Sequence, residues 1–317
     1  MTAPAVPTAA PLGPAAPPAG GPVIRFWLAL LFFLARRAPV VLQILRPLAV
    51  WVIVLTIPFI RHGTAANAAR ILGRRPGQAE RLAFARGVVR SFYDFVVDAG
   101  RCSGLSVGEM RSGIESVQGH ETYLALRRER LGAIFVTAHM GSYEIGLAAL
   151  TEIEPAVHVV FKRDEGDWEN LRASLRRKLG VIEAPIDDGA STLMSLKAAL
   201  ENDAVVVMQA DRAWPGQKSC DVPVLHGHLR VPTGPVKLAL LCNSPIVPVS
   251  AVRTSSGRFR VVMGEAIRAG DYETVASAAA ALGAALGRFI AAAPTQWLVL
   301  RPAFVEDQPG GARDGRR

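Results

Sequence analysis

The first 79 residues of this 317-residue chain contain no aspartate or glutamate; the first acid is Glu80. Cysteine is scarce as well. Cys102, Cys220 and Cys242 form no CxxC pair and no even set, which excludes a disulfide framework and leaves buried thiols in a reducing compartment. There is no GxxxxGK[ST] loop and no GxGxxG, so nucleoside triphosphate and dinucleotide binding lack support. No internal repeat is present. The longest uncharged apolar stretch in the N-terminal region, residues 47–60, falls short of the roughly 20 residues needed to cross a bilayer. What is abundant is apolar mass: 50% of residues are hydrophobic, only 20% are charged, and the mean hydropathy is +0.25. A disordered chain is excluded, and the length suits one large catalytic domain or two modest ones.

The positive charge is concentrated. Between residues 23 and 75 the only charged groups are Arg25, Arg36, Arg37, Arg46, Arg61, Arg70, Arg74 and Arg75, which nearly account for the net charge of +9. They punctuate the apolar stretches 26–35, 38–45 and 47–60, alongside Trp27 and Trp51. Apolar surface studded with arginine fits an anionic membrane surface, where each basic residue contributes about 1 kcal/mol, and not a nucleic acid. Arg46 and the prolines at 39, 47 and 58 interrupt 38–60 as a span, so an in-plane or re-entrant anchor is favoured over a single transmembrane helix. The first 24 residues have no charged region of the kind that opens a cleaved signal peptide. Residues 1–22, with seven prolines and seven alanines, read as a disordered tail; 23–76 as the membrane-associating arm; 77–305 as a catalytic domain; and 306–317 as a frayed, Gly-rich end.

Past residue 77 the pattern is α/β. Helical periodicity covers roughly 79–98, 121–130, 142–151, 167–179, 190–201, 234–243 and 272–292, the last with Asp271 as N-cap. Apolar β-branched runs at 133–138, 157–161, 204–209, 245–251 and 258–263 read as strands. This alternation predicts a largely parallel sheet with helices on both faces, preceded by a membrane-anchoring helical arm.

The stretch with chemical content is Thr137-Ala138-His139-Met140-Gly141-Ser142-Tyr143-Glu144. Five residues apart on one helix, His139 and Glu144 would point about 140° from each other. They can meet only if His139 lies in a turn and Glu144 in the first turn of the next helix. Gly141 makes such a turn cheap. The carboxylate would then accept from Nδ1–H and leave Nε2 as a base. The bland alternative is a capping histidine beside an exposed glutamate. Two other chemistries compete. Gly104-Leu105-Ser106-Val107-Gly108 matches GxSxG of a serine hydrolase, though it lacks a preceding strand. His226-Gly227-His228 is a histidine pair without a nearby carboxylate or cysteine, a poor metal site.

The text AHMGSYE, then Phe161-Lys162-Arg163, Leu175-Arg176-Arg177-Lys178-Leu179-Gly180, Met208-Gln209-Ala210-Asp211, Val222-Pro223-Val224-Leu225-His226-Gly227 and Pro232-Thr233-Gly234-Pro235, resembles the late acyltransferases of lipid A biosynthesis. These belong to the lysophospholipid acyltransferase superfamily, which includes a mycobacterial relative that acylates phosphatidylinositol mannosides. The resemblance covers roughly residues 23–300. It implies that His139 deprotonates an acceptor hydroxyl, oriented by Glu144, for attack on a fatty acyl thioester of acyl carrier protein or coenzyme A. It further implies substrate contacts at Lys162, Arg163, Arg176 and Asp211, no cofactor or metal, a lipid or glycolipid acceptor, and a place on the cytoplasmic face of the inner membrane. For Arg176 a solvated basic face, and for Asp211 a turn cap, are the competing structural roles. Two departures bear on the acceptor. Ser142-Tyr143 replaces the family's Asn-Trp, and Thr295-Gln296-Trp297 is followed by no His-Arg-Arg, which points away from a lipid A precursor. A non-catalytic lipid-binding relative would share the arm and the fold.

Overall fold

The computed structural model describes residues 22–163, 167–214 and 216–308. The expected disordered tail, up to residue 21, and the C-terminal end from residue 309 lie outside the described residues.

Proline sets the layout of the N-terminal arm. Helices α1 (Pro22–Arg37), α2 (Pro39–Thr56) and α3 (Pro58–Leu72) each open on a proline. A residue before proline avoids the helical region, and Ala38 (φ −142°, ψ 56°) and Ile57 (φ −111°, ψ 93°) mark the two breaks accordingly. Pro47 does not interrupt α2. The arm rests on the long helix α4 (Gln78–Cys102). Val50 and Val54 of α2 pack with Ala85 and Val89 of α4. Arg46 pairs with Asp94 at 3.0 Å, Tyr93 Oη donates to the Leu42 carbonyl, and the Arg86 guanidinium lies 4.2 Å from the Trp51 ring centroid. The two helices therefore run antiparallel along most of α2. The opposite side of α2, carrying Val40, Ile44, Leu48, Val52 and Leu55, is exposed.

The body alternates strands and helices: α5 (Val107–Ser112), β1 (Ile114–Gln118), α6 (His120–Arg127), β2 (Ala133–Thr137), α7 (Tyr143–Ile153), β3 (Val157–Phe161), α8 (Asp167–Lys178), β4 (Ile182–Pro185), α9 (Ala190–Glu201), β5 (Val205–Gln209), β6 (Ser219–Val224), β7 (Gly227–Pro232), α10 (Gly234–Cys242), β8 (Ile246–Arg253), β9 (Phe259–Met263) and α11 (Val275–Ala292). Seven strands form one sheet in the order β1-β9-β8-β2-β5-β3-β4, parallel except where β9 runs against β8. β2 is central and buried on both faces, as its unbroken AIFVT run requires. Ile134 and Val136 face α9, α10 and α11, while Phe135 faces α7 and α8.

β6 and β7 make a separate antiparallel hairpin that packs on α11. Contact is close because α11 offers glycine there: a Cβ on Gly283 would lie 2.7 Å from Val222 Cγ2. This hairpin, and the half-exposed strands β1 and β4, have no counterpart in the sequence-based assignment. The last long helix begins later than its periodicity suggests. Asp271 closes a 3₁₀ turn, and Thr274 is the N-cap, its Oγ1 accepting from Ser277 N–H at 3.0 Å. Glu306 and Asp307, assigned by sequence to the frayed end, are held by His228 and Arg70.

Candidate active site

The site forms at the carboxyl ends of the central strands, where open α/β sheets place their ligands. β2 and β5 are parallel with Thr137 beside Gln209. Two residues further along each strand stand His139 and Asp211. Their side chains meet: His139 Nδ1 lies 2.6 Å from Asp211 Oδ1.

The turn that carries His139 is pinned on three sides. Gly141 adopts φ +59°, and a Cβ there would fall 1.8 Å from the Ala251 carbonyl, so only glycine fits. Ser142 N–H donates to that same carbonyl, Gly141 N–H to the Gln296 carbonyl, and Leu298 N–H to the His139 carbonyl at 2.7 Å. Asp211 is buried, and its second oxygen, Oδ2, accepts from Trp297 Nε1 at 2.8 Å. Burial alone would push the Asp211 carboxyl up. The facing His139 and the hydrogen bonds from His139 and Trp297 outweigh that and hold it well below the usual carboxylate range. An ionised Asp211 accepts from Nδ1–H, which leaves the Nε2 lone pair available as a base.

The hydrogen bond that spacing suggested between Glu144 and His139 is thus made by Asp211 instead. Glu144 lies in the first turn of α7, buried, with Oε2 lacking a hydrogen-bond partner. Burial pushes its carboxyl up, against the opposing pull of Arg172. The turn at Gly141 faces His139 toward β5 and Asp211.

The basic residues divide. Arg176 is buried; its Nε donates to Glu183 Oε1 at 2.7 Å and its guanidinium stacks 4.0 Å from the Phe161 ring centroid, so it ties α8 to β3 and β4. Arg163 donates its backbone N–H to Asp187 and pairs its guanidinium with Asp188. Neither contacts the dyad. Lys162 is exposed, with Nζ 4.9 Å from the ring centroid of Trp214, a residue of the loop that follows Asp211.

Ser106 is no nucleophile elbow. It follows helix α4, caps α5, donates from Oγ to Glu109 Oε2 at 2.8 Å and accepts from Glu109 N–H. His228 pairs with Glu306 at 2.8 Å, and the His226 ring packs against Gly73. Among the described residues no three His, Cys, Asp or Glu side chains gather as a metal site.

A narrow apolar cavity runs between α7 and the sheet from the turn bearing His139 inward. Thr137, Met140 and Ser142 are at the turn, with Gly146, Leu150, Val249 and Met263 among the walls. The volume open to a water-sized sphere is about 40 Å³, room for a few waters and well short of a ligand pocket of roughly 300–1,000 Å³. The Ser142 hydroxyl lines it without a hydrogen-bond partner. Sequence reasoning named Trp297 only within Thr295-Gln296-Trp297 and gave it no role; that a buried indole N–H needs an acceptor was the further signal.

A base held by a buried carboxylate beside an apolar cavity can activate a hydroxyl for attack on an acyl group. The comparisons agree with that chemistry. The chain is similar to the phosphatidylinositol mannoside acyltransferase of Mycobacterium tuberculosis (strain ATCC 25618 / H37Rv), with 24% identity over 257 residues, 78% of this chain and 80% of that protein. The family model for bacterial lipid A biosynthesis acyltransferases matches residues 24–305, taking in the arm, the dyad and Trp297. The chain belongs to that family and is an acyltransferase.

Proposed function

We propose that the protein transfers a fatty acyl group from a thioester of acyl carrier protein or coenzyme A to a hydroxyl of a membrane glycolipid, at the cytoplasmic face of the inner membrane. His139 Nε2 takes the proton of the acceptor hydroxyl as its oxygen attacks the thioester carbonyl. The imidazolium so formed is stabilised by Asp211 across Nδ1. When the tetrahedral intermediate collapses, the thiolate leaves and recovers a proton from Nε2. A positioned base of this kind contributes about 10²–10⁴-fold. The acyl chain enters by the cavity beside the turn, which must widen to hold it, and Lys162 meets donor phosphate. The observation that carries this reading is the 2.6 Å contact between His139 and the buried Asp211.

The membrane assignment rests on α2. It is 18 residues long with hydropathy 1.9, and only 17% of it is buried. Helix α11 is as long and nearly as apolar, but it is a core helix, with Ala278, Leu282, Leu286 and Ile290 fully enclosed. By length and composition alone α2 matches a span. Crossing a bilayer, however, would drag Arg86 and Asp94 of α4 into the hydrocarbon, at a cost of about 2.5–3.5 kcal/mol per charge near the centre. The helix lies in the membrane plane, with Ile44, Leu48 and Leu55 toward lipid and Arg36 and Arg37 at headgroup level. The test is transfer of labelled acyl groups from both thioesters into a polar-lipid extract. Labelled lipid formed by wild type and not by His139→Ala supports the reading; equal activity in His139→Ala overturns it.

A further inference from the structure

Trp297 combines features that packing alone does not require. The ring is buried, edge-on to Phe304 at 5.9 Å between centroids, and belongs to the core around Met140. That much suits any large core residue. Its indole N–H, however, ends on Asp211 Oδ2, the carboxylate oxygen that His139 does not use. The backbone on either side of Trp297 holds the turn bearing His139. The Gln296 carbonyl accepts from Gly141 N–H, Leu298 N–H donates to the His139 carbonyl, and Met140 and Trp297 form a β-bridge. The Gln296 side chain locks this segment to β8 by two 2.8 Å bonds with the Arg253 backbone. One short segment therefore fixes both members of the dyad, the histidine through main chain and the aspartate through the indole.

We propose that Trp297 is a positioning residue for acyl transfer: its indole N–H orients the Asp211 carboxylate so that Oδ1 faces His139 Nδ1. The proposal rests on the general-base reading above. Without the indole donor, Oδ2 is left unsatisfied in a buried place and the carboxylate is free to rotate about its own bond. Its charge is also less dispersed, so it holds the imidazolium proton more tightly. The titratable and charged groups facing Asp211 are His139, from the turn after β2, and Arg212, its neighbour in the chain. Neither replaces the indole N–H.

Site-specific replacement of Trp297 by benzothienylalanine, which keeps the ring shape and lacks the N–H, tests this directly. Expected are a fall in kcat of roughly tenfold or more, KM changed by less than about twofold, and an acidic limb of the kcat/KM profile moved to higher pH. The melting temperature should stay near that of wild type. Replacement by 7-azatryptophan, which retains the donor, should restore kcat and the limb. Trp297→Phe should reproduce the benzothienylalanine profile if it folds. Wild-type kcat and pH profile in the benzothienylalanine protein overturn the proposal. So does a kcat loss that leaves the acidic limb in place. If wild type transfers no acyl group from either thioester, the general-base reading falls first. NMR of the Trp297 indole proton then decides the positional claim: a resonance that shifts with His139 protonation and changes in Asp211→Asn sustains it, and an indifferent one overturns it.

Discussion

Asp211→Asn should be more damaging to catalysis than Asp211→Ala, although asparagine is nearly isosteric. The Trp297 indole can only donate, so it selects the amide oxygen of the substituted asparagine. The amide NH₂ then faces His139 Nδ1, which must accept. This forces the imidazole proton onto Nε2, the atom that should act as base. The charge stabilisation is lost too: two unit charges about 4 Å apart at an effective dielectric of about 20 interact by ~4 kcal/mol. That corresponds to about a thousandfold in rate. Asp211→Ala loses the same attraction but leaves both tautomers open, so it should retain several-fold more activity than Asp211→Asn. The assay is initial-rate acyl transfer with both variants at saturating donor, with melting temperatures checked by circular dichroism. Equal or greater activity in Asp211→Asn than in Asp211→Ala, with both folded, would refute the tautomer argument.

Glu144→Gln should keep activity within about threefold at neutral pH, because burial already favours the neutral acid there. A raised folded-state pKa supports stability below the unfolded value near 4.5, and that support fades as pH rises through the folded value. The wild-type melting temperature should therefore fall relative to Glu144→Gln as pH rises from 4; parallel curves would contradict the assignment. Gly146→Val should narrow the cavity, since a Cβ at Gly146 already lies 3.3 Å from the Ala251 Cβ. Preference in a thioester length series should move to shorter chains, and an unchanged profile counts against the cavity as the acyl site. Leu48→Glu should weaken sedimentation with phosphatidylglycerol vesicles by about tenfold or more, while Gln43→Glu, at the edge of the lipid-facing arc, should do less; equal effects would speak against an in-plane α2.

The parts of the fold that were legible in the sequence were those whose signal is local. The AIFVT run could only be a strand buried on both faces, and the Gly141 turn after it placed His139 at a strand end. Pro39 and Pro58 marked the joints of the arm. The partner of His139 was not legible, because it lies 72 residues away and depends on the register of β2 with β5. Local spacing favoured Glu144, which the chain brings close in sequence and then buries elsewhere. The β6–β7 hairpin was missed because its turn places Leu225 at φ +55°, with no Asn-Gly or Gly-Gly to announce it, and Pro223 argues against a strand. Which apolar α2 residues stay exposed became identifiable only once α4 had covered the other side.

The same C-terminal segment that meets the turn bearing His139 goes on to pack against the arm. Asn67 of α3, almost wholly buried, donates to the carbonyls of Val299 and Arg301 and accepts from Ala303 N–H. A Cβ on Gly63 would sit 2.3 Å from the Leu300 carbonyl, so α3 and this strap lie backbone to backbone. The helices of the arm and the His139–Asp211 pair thus share one frame, with Leu298 gripping His139 a few residues from where Asn67 grips the strap. Removing the arm should therefore be felt at the turn that bears His139. Whoever trims the arm also loosens the bolt behind His139, and should find turnover lost even on substrates already dissolved in water.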